Sequence, residues 1–338
     1  MSKEKSAIKE TVKQTAGNVG KGVSNGAVAM AGTAKKVALK SKETLDASQK
    51  AVFNALDQDG NGIIDSVDII LMALKVPGVK VNREDFLRKE FFKNHNQEVI
   101  DKAIDTTPAL AGISGDEIDK IVDEVIKFER NAVSGISAAL GMPGGVAMAA
   151  TIPADIAQYY GYMLRAAQKM LYLYGFPELL SADGDVKLDT ETINSLTLCL
   201  GIMNGVAGAN NMIKGMSKAL ATGVEKKLIN AALTKGAIYP IVKRVAKWFG
   251  VKMTKEVFAG FFKKSIPVVG GVIGGGLTYA TFKPCCYRLK DSLKDTMLSN
   301  PDKHKETVEE QKIYEDIKNG VIYDVEPEDI QIIEEIDK

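Results

Sequence analysis

The chain has 338 residues, of which 45% are hydrophobic and 26% are charged. These proportions are typical of globular proteins. The length is sufficient to bury a core in one or two domains. The formal net charge of +1 excludes the strong overall positive field that attracts a protein to nucleic acid, and three cysteines are too few for a disulfide framework. We therefore expect a reduced, cytoplasmic protein without a nucleic-acid partner.

Charge is unevenly distributed along the chain. Residues 1–46 are rich in Lys, Gly and small residues, which predicts a flexible basic arm. Residues 210–264 are also basic, whereas residues 296–338 are acidic. Two interpretations of this acidic tail stay open: a solvated end, and a segment that folds onto the basic helices as an autoinhibitor. The first residues contain no apolar stretch of the signal-peptide type.

Residues 47–82 predict a helix, a polar loop and a second helix. The segment DQDGNGIIDSVD places oxygen-bearing side chains at positions one, three, five, nine and twelve of an EF-hand loop, with glycine at position six for the sharp turn. Hard divalent cations take oxygen ligands in this pattern. The expected metal ligands are Asp57, Asp59, Asn61, the backbone carbonyl of Ile63, Asp65 through a water, and Asp68.

The closing residue of this loop weakens the predicted site. Asp68 stands where the EF-hand pattern prefers a bidentate Glu, and its side chain is one methylene shorter. We therefore expect Ca²⁺ binding in about the micromolar range or weaker, with Mg²⁺ as the competing ion. A complete second loop is absent from the sequence. The run VKVNREDFL resembles the end of one, with Val81 predicted to pair with Ile64 and with Asp85 at position twelve.

The remaining chain predicts helices almost throughout. The expected fold is all-α: an EF-hand-like helix-loop-helix followed by a large irregular helical bundle with Gly-rich helices over residues 83–295. Glycines four residues apart, such as Gly201 and Gly205, are typical of closely approaching helices. Residues 266–282 are predicted to form either a close-packed interior hairpin or a membrane-contacting segment. Pro153 and Pro284 are expected near helix ends.

The sequence contains no recognisable catalytic constellation. His95 and His304 fall in unrelated polar segments and are expected on the surface. Cys285 and Cys286 are expected as free thiols at the start of a helix. We therefore predict that the protein is not an enzyme.

One helix carries the most enzyme-like polar residues, within TIPADIAQYYGYMLRAAQKMLYLYG. Asp155, Tyr159, Tyr162 and Arg165 are placed near one face of this helix by their spacing. Two interpretations stay open: a buried ion pair involving Arg165, and a ligand site built on these side chains.

Two long blocks of sequence resemble a known family. The first runs from AGISGDEIDKIVDEVIKFER through IPADIAQYYGYMLRAAQK, and the second contains IPVVGGVIGGGLTYATFKP. Both are similar to the EcsC family of bacterial proteins, and the resemblance covers about residues 83–295. The resemblance implies a mostly helical protein, and the family has no agreed catalytic residues. The family takes its name from a gene beside a transporter operon that is linked to secretion. An N-terminal EF-hand is an addition that some members share.

These observations lead to one functional prediction with two alternatives. We expect a calcium-binding, non-enzymatic EcsC-family protein that associates peripherally with an anionic membrane surface or a membrane protein complex. The first alternative is a small-molecule-binding protein or enzyme with a polar site around Asp155 and Arg165. The second is a pore-forming protein in which residues 266–282 insert. The basic side chains expected to contact anionic lipid are Lys214, Lys218, Lys243, Arg244 and Lys247.

Overall fold

The computed structural model describes residues 50–140, 148–180, 188–250 and 269–323. The predicted basic arm, the start of the 266–282 segment and the end of the acidic tail lie outside these residues. The described residues form twelve helices, and none of them lies in a β-strand, so the all-α prediction is confirmed. The helices are α1 (50–56), α2 (Ser66–Leu74), α3 (Arg83–Phe91), α4 (Gln97–Asp105), α5 (Gly115–Leu140), α6 (Met148–Leu173), α7 (Thr190–Asn204), α8 (Ala209–Ala221), α9 (Lys226–Thr234), α10 (239–250), α11 (Val269–Leu293) and α12 (Val308–Lys318).

Several helices begin at a side chain that caps their first turn. An Asn, Asp or Thr oxygen accepts a hydrogen bond from a backbone N–H three residues later, which satisfies a donor that the helix itself leaves unpaired. Such a cap contributes about 1 kcal/mol. These N-caps are Asn82 of α3, Asn96 of α4, Asp189 of α7 and Thr307 of α12.

The three long helices α5, α6 and α11 form the centre of the bundle. Helix α11 packs along α5, and both contact α6. Val122, Leu164, Phe282 and Leu289 are fully buried there, and full burial of one such side chain is worth about 1.5–3 kcal/mol. The buried ammonium of Lys290 donates to the Asp123 carboxylate at 2.8 Å and so joins α11 to α5. All elements from residue 52 onward belong to one compact unit.

The glycine spacing in α7 has two separate causes. A Cβ on Gly201 would overlap Val245 of α10, so this glycine allows a close approach of two helices. Gly205 instead caps the end of α7 with a φ of 78°, a left-handed conformation that favours glycine. Only the first of the two glycines therefore serves the helix contact that the spacing predicted.

Three details of the central helices differ from the expectations. Pro153 and Pro284 lie inside α6 and α11 rather than near helix ends. From Val269 onward the predicted hairpin segment is part of a single helix, α11. Cys285 and Cys286 are free thiols as predicted, but they are buried in the middle of α11 and not at a helix start. Proline does not always mark the end of a helix. Inside a helix it leaves one backbone carbonyl without its usual N–H partner, and the surrounding structure can accommodate that carbonyl.

The first part of the predicted acidic tail packs against the bundle. Helix α12 contacts α8 and α9, and it buries Ile313, Tyr314 and Ile317. An isolated antiparallel bridge joins Gly236 to Ile322 just beyond this helix. Within the described ranges, no helix is both long enough and apolar enough to span a membrane.

Candidate metal centre

The loop between α1 and α2 reverses direction at two glycines. Gly60 and Gly62 have φ angles of 72° and 81°, which side chains with a Cβ rarely adopt. Helix α1 ends at Leu56, and Ser66 opens α2. The nine residues between the two helices therefore fold back on themselves and bring the start of the loop close to its end.

Three carboxylates converge inside this turn. One oxygen from each of Asp57, Asp59 and Asp68 lies within 4.8 Å of the other two. Asp59 is exposed, Asp57 is half-buried and Asp68 is fully buried. Like charges at this separation repel one another, and the repulsion is strongest where water is excluded. A divalent cation placed among them would reverse that unfavourable interaction.

Local hydrogen bonds hold the ligand candidates in place. Asp57 Oδ2 accepts from the backbone N–H of Gly62 at 3.0 Å. Asp59 Oδ1 accepts from the N–H of Asn61 at 3.0 Å, and Asn61 Oδ1 accepts from the N–H of Ile63 at 2.7 Å. Asp and Asn side chains commonly bond to the backbone two residues onward in such turns. Asp59 Oδ2 also accepts from the side-chain amide of Asn61 at 2.8 Å. Asp57 and Asn61 are therefore each tied to the loop through one oxygen, and Asp59 through both.

The second oxygen of Asp57 has a different environment. Asp57 Oδ1 is inaccessible to solvent and has no hydrogen-bond partner among the residues that the structure describes. A buried carboxylate oxygen without a partner is costly, by about 1–3 kcal/mol or more for a charged group. The same side chain belongs to the three-carboxylate cluster. The residues present therefore fit a bound cation, which would supply the missing partner of Asp57 Oδ1.

Asp65 and Asp68 have structural contacts beyond those predicted. Asp65 caps α2 by accepting from the N–H of Val67 at 2.7 Å. Asp68 completes a capping box through Oδ2 and the N–H of Asp65, at 2.9 Å, while its Oδ1 accepts from the N–H of Gln58 at 2.6 Å. Burial raises the pKa of both carboxyls, and repulsion from nearby carboxylates raises it further. Asp68 Oδ1 accepts a second bond, from the N–H of Asp59 at 3.3 Å, so its capacity for a cation lies on Oδ2, which has a second lone pair.

The loop is supported by the helical body rather than by a second loop. The Ser66 hydroxyl lies 3.3 Å from the Thr197 hydroxyl of α7. The expected pairing of Val81 with Ile64 is wrong, because the Val81 N–H donates to Gln168 Oε1 of α6 at 3.1 Å.

Gln168 is fully buried and contacts the segment after α2 at two points. Besides accepting from Val81, its amide donates from Nε2 to the carbonyl of Val79 at 2.9 Å. One side-chain amide thus satisfies both backbone groups that a neighbouring strand would otherwise pair. Asp85, the position-twelve residue of the predicted half-partner, is exposed in the first turn of α3, where its N–H donates to Asn82; the half-partner itself stays a prediction.

Of the polar residues predicted along α6, Tyr162 and Arg165 meet, with the guanidinium carbon 4.2 Å from the centre of the Tyr162 ring, whereas Asp155 and Tyr159 lie at other points along the helix. Arg165 donates from Nε to Glu129 of α5 at 2.9 Å, and Lys169 donates to the same carboxylate at 2.8 Å. Glu129 is fully buried, so a buried ion cluster is present at Arg165. The Tyr159 hydroxyl lies 3.1 Å from that of Thr281. Asp155 is ten residues from Arg165, about 15 Å along the helix. Sequence reasoning missed Glu129 because nothing local distinguishes it from a surface glutamate.

The basic side chains predicted to meet lipid fall into two groups. Lys214 and Lys218 of α8 are covered by the C-terminal segment and are only 15% and 14% exposed. Lys243 and Lys247 of α10 are exposed, and Arg244 is half-buried, donating to the carbonyl of Ala207. Charge density in the sequence alone does not separate these groups.

The candidate catalytic groups are buried or paired. His95 lies 3.0 Å from Glu117. The surface prediction is wrong for His304, which is 3% exposed and lies between Glu310, at 2.7 Å, and Asp295. Burial raises the pKa of Cys199 to about 12. Such a thiol is a poor nucleophile, because the thiolate is the reactive form.

Comparison with known proteins adds no match. Neither a family model, nor a curated protein, nor a solved structure matches this chain. The resemblance to the EcsC family and the EF-hand assignment therefore stay predictions from the sequence.

Proposed function

We propose that this chain is a calcium-binding, non-enzymatic protein of the EcsC family that associates with an anionic membrane surface or a membrane protein complex. The loop from Asp57 to Asp68 is the cation site in this proposal. The helical body holds the loop and presents the surface that meets the membrane.

The observation that carries the proposal is the environment of Asp57. One of its oxygens is tied to the loop backbone at Gly62, and the other is buried without a partner, among the described residues, beside two further carboxylates. A folded protein rarely leaves such an oxygen unsatisfied. A cation at this point would be bound by Asp57, Asp59, Asn61 and the carbonyl of Ile63, with Asp68 beneath it.

Ca²⁺ is the favoured ion because of the donor types and the shape of the loop. All candidate donors are oxygens, which hard cations prefer, and the irregular turn does not impose the octahedral arrangement that Mg²⁺ demands. Asp68 is occupied by three backbone N–H groups, which limits how strongly it closes the site. We therefore propose an affinity for Ca²⁺ of about micromolar or weaker, with a modest margin over Mg²⁺.

The non-enzymatic part of the proposal is supported by the buried thiols and paired histidines. Burial raises the pKa of Cys286 well above its ordinary value, as it does for Cys199. Both ring nitrogens of His304 contact carboxylates, of Glu310 and Asp295, whereas activation of a nucleophile needs a ring nitrogen bonded to a hydroxyl or thiol.

Calorimetric titration of the full chain with Ca²⁺ and, separately, Mg²⁺ tests the cation site. We expect one binding event for Ca²⁺ and weaker binding of Mg²⁺. Asp57→Asn removes the ligand charge while keeping the size of the side chain, and it should weaken Ca²⁺ binding at least about tenfold, or about 1.4 kcal/mol.

Asp85→Asn is the matched control for this variant. It makes the same chemical change at an exposed aspartate in α3, outside the loop, and should leave the affinity unchanged. Absence of heat with both ions in the unmodified protein, or equal loss of affinity in the two variants, would refute the proposed function.

A further inference from the structure

His304 lies between two carboxylates in the stretch that joins α11 to α12. Its side chain is only 3% exposed. The ring Nε2 lies 2.7 Å from Oε1 of Glu310 in α12, and the ring Nδ1 lies 3.4 Å from Oδ1 of Asp295, just after α11. Both ring nitrogens therefore have a carboxylate oxygen as their neighbour.

This arrangement suits the charged form of histidine. A neutral imidazole carries one N–H and one bare nitrogen, so it can donate to only one of the two carboxylates and turns a lone pair towards the other. The imidazolium donates from both nitrogens. The separation of 2.7 Å between His304 and Glu310 is also typical of a charge-assisted hydrogen bond. The geometry therefore favours a His304 ring that carries both protons.

The Glu310 carboxylate depends on this ring for its compensation. Its side chain is fully buried, and its Oε2 has no hydrogen-bond partner among the described residues. A buried carboxylate is costly unless a positive charge and hydrogen bonds accompany it. Within the described part of the chain, His304 is the cationic group that contacts it. Loss of the His304 charge would therefore leave a buried carboxylate without a counter-charge.

Asp295 extends this cluster to α8. Its Oδ2 accepts from the Lys214 ammonium at 3.0 Å. Burial raises the pKa of Asp295, but hydrogen bonds and attraction from Lys214 and from His304 outweigh the burial and hold that pKa below its ordinary value. Lys214, Asp295, a protonated His304 and Glu310 then alternate in charge, and together they join α8 to α12.

The neighbouring contacts between α8 and the C-terminal segment contain no group that titrates near neutral pH. Lys218 pairs with Glu306, and Ile313 packs against Gly215. Ammonium and carboxylate groups ordinarily change charge well away from neutrality. Among the described residues of this contact, His304 is the one whose side-chain type ordinarily changes charge between about pH 5 and 8.

We infer that His304 acts as a proton-dependent lock that holds the C-terminal segment, residues 295–323, on α8. With both protons present, the ring joins Glu310 to Asp295 and, through Asp295, to Lys214. When the pH rises and one ring proton passes to solvent, one carboxylate loses its donor and buried Glu310 loses its positive neighbour. The contact is therefore tightest at mildly acidic pH, and it loosens and uncovers Lys214 as the pH rises.

Hydrogen exchange of the full chain, followed by mass spectrometry and corrected for the intrinsic effect of pH on exchange, tests the lock. Loss of a hydrogen bond to a charged group changes an equilibrium about 10- to 100-fold. We therefore expect the protection of the α12 amides to fall at least about tenfold between about pH 6 and pH 9. The protection of α7, which lies outside the C-terminal segment, should change less than about threefold.

His304→Gln removes the titrating group and keeps one side-chain N–H donor. This variant should show weaker protection of α12 at about pH 6 and no fall towards pH 9. His95→Gln is the matched control, because His95 is the only other histidine of the chain and lies 3.0 Å from a single carboxylate, that of Glu117. The control should keep the full pH dependence of α12 protection.

Nuclear magnetic resonance of the ring nitrogens in the unmodified protein keeps the test decisive if His304→Gln does not fold. The spectrum of His95→Gln assigns the two histidines, and His304 should show two protonated nitrogens at about pH 6. A neutral His304 ring at that pH, or α12 protection that is independent of pH in the unmodified protein, would overturn the lock. A pH dependence that persists in folded His304→Gln, or disappears in the His95→Gln control, would overturn it as well.

Discussion

The contact between α8 and α12 yields a quantitative prediction, because it depends on the absence of one methyl group. A Cβ on Gly215 would lie 2.5 Å from Cγ2 and 2.8 Å from Cβ of Ile313, both well inside van der Waals contact. The β-branched Ile313 cannot rotate both atoms away. Gly215→Ala should therefore force the two helices apart.

The expected magnitude combines two opposing effects. Overpacking a well-filled contact costs about 1–3 kcal/mol, and replacing glycine by alanine inside a helix gains about 1 kcal/mol. We expect Gly215→Ala to lower the free energy of unfolding by up to about 2 kcal/mol. Gly135→Ala is the matched control: this glycine lies exposed inside α5, and a Cβ added to it would meet no described atom within 4 Å, so the same change should be stabilising.

Urea denaturation followed by circular dichroism measures both variants. A double-mutant cycle adds Ile313→Ala, which by itself should cost about 2–5 kcal/mol because the side chain is buried. In the double variant the alanine at 215 has room, so its own cost should disappear and the two effects should be non-additive by at least about 1 kcal/mol. Equal behaviour of the variants at 215 and 135, or strict additivity in the cycle, would refute the close packing of α12 on α8.

Three further predictions follow from other buried groups. Gln168→Met leaves the two backbone groups held by this amide unsatisfied and should lower the free energy of unfolding by about 2–4 kcal/mol, measured by urea denaturation; a neutral effect would contradict the buried contact. Burial raises the pKa of the Cys199 and Cys286 thiols, so both should resist iodoacetamide at mildly alkaline pH in the native protein and react in guanidinium. Mass spectrometry counts the labelled thiols, and rapid labelling of the native protein would contradict their burial. The pKa values of the Asp65 and Asp68 carboxyls are raised above the ordinary 3.8, so protons compete with the cation at a higher pH than they would for free carboxyls. Ca²⁺ affinity, measured by calorimetry, should therefore fall as the pH is lowered from neutrality into the acidic range. An affinity that does not change with pH over this range would contradict the coupling of proton and cation binding.

The parts that sequence patterns predicted are local in the chain. The loop from Asp57 to Asp68 lies within one short segment, so its turn and its helix boundaries follow from residues that are near neighbours. The all-α fold likewise follows from periodicity and composition within single helices.

Long-range contacts account for the features that sequence patterns missed. Gln168 lies 87 residues from its partner Val81, and Lys218 lies 88 residues from Glu306. His304 is buried because α12 folds back over it, which its polar sequence context does not indicate. Composition does not distinguish one lysine of a basic segment from another, whereas packing covers Lys214 and Lys218 of α8 and leaves Lys243 and Lys247 of α10 exposed.

A crystal structure of the protein grown with Ca²⁺, with anomalous scattering used to identify the ion, tests the cation site most directly. We expect one ion at about 2.3–2.6 Å from oxygens of Asp57, Asp59 and Asn61 and from the carbonyl of Ile63. The previously unpartnered Asp57 Oδ1 should be among the ligands. A loop free of anomalous density at saturating Ca²⁺, with that oxygen bonded only to water or protein, would contradict it.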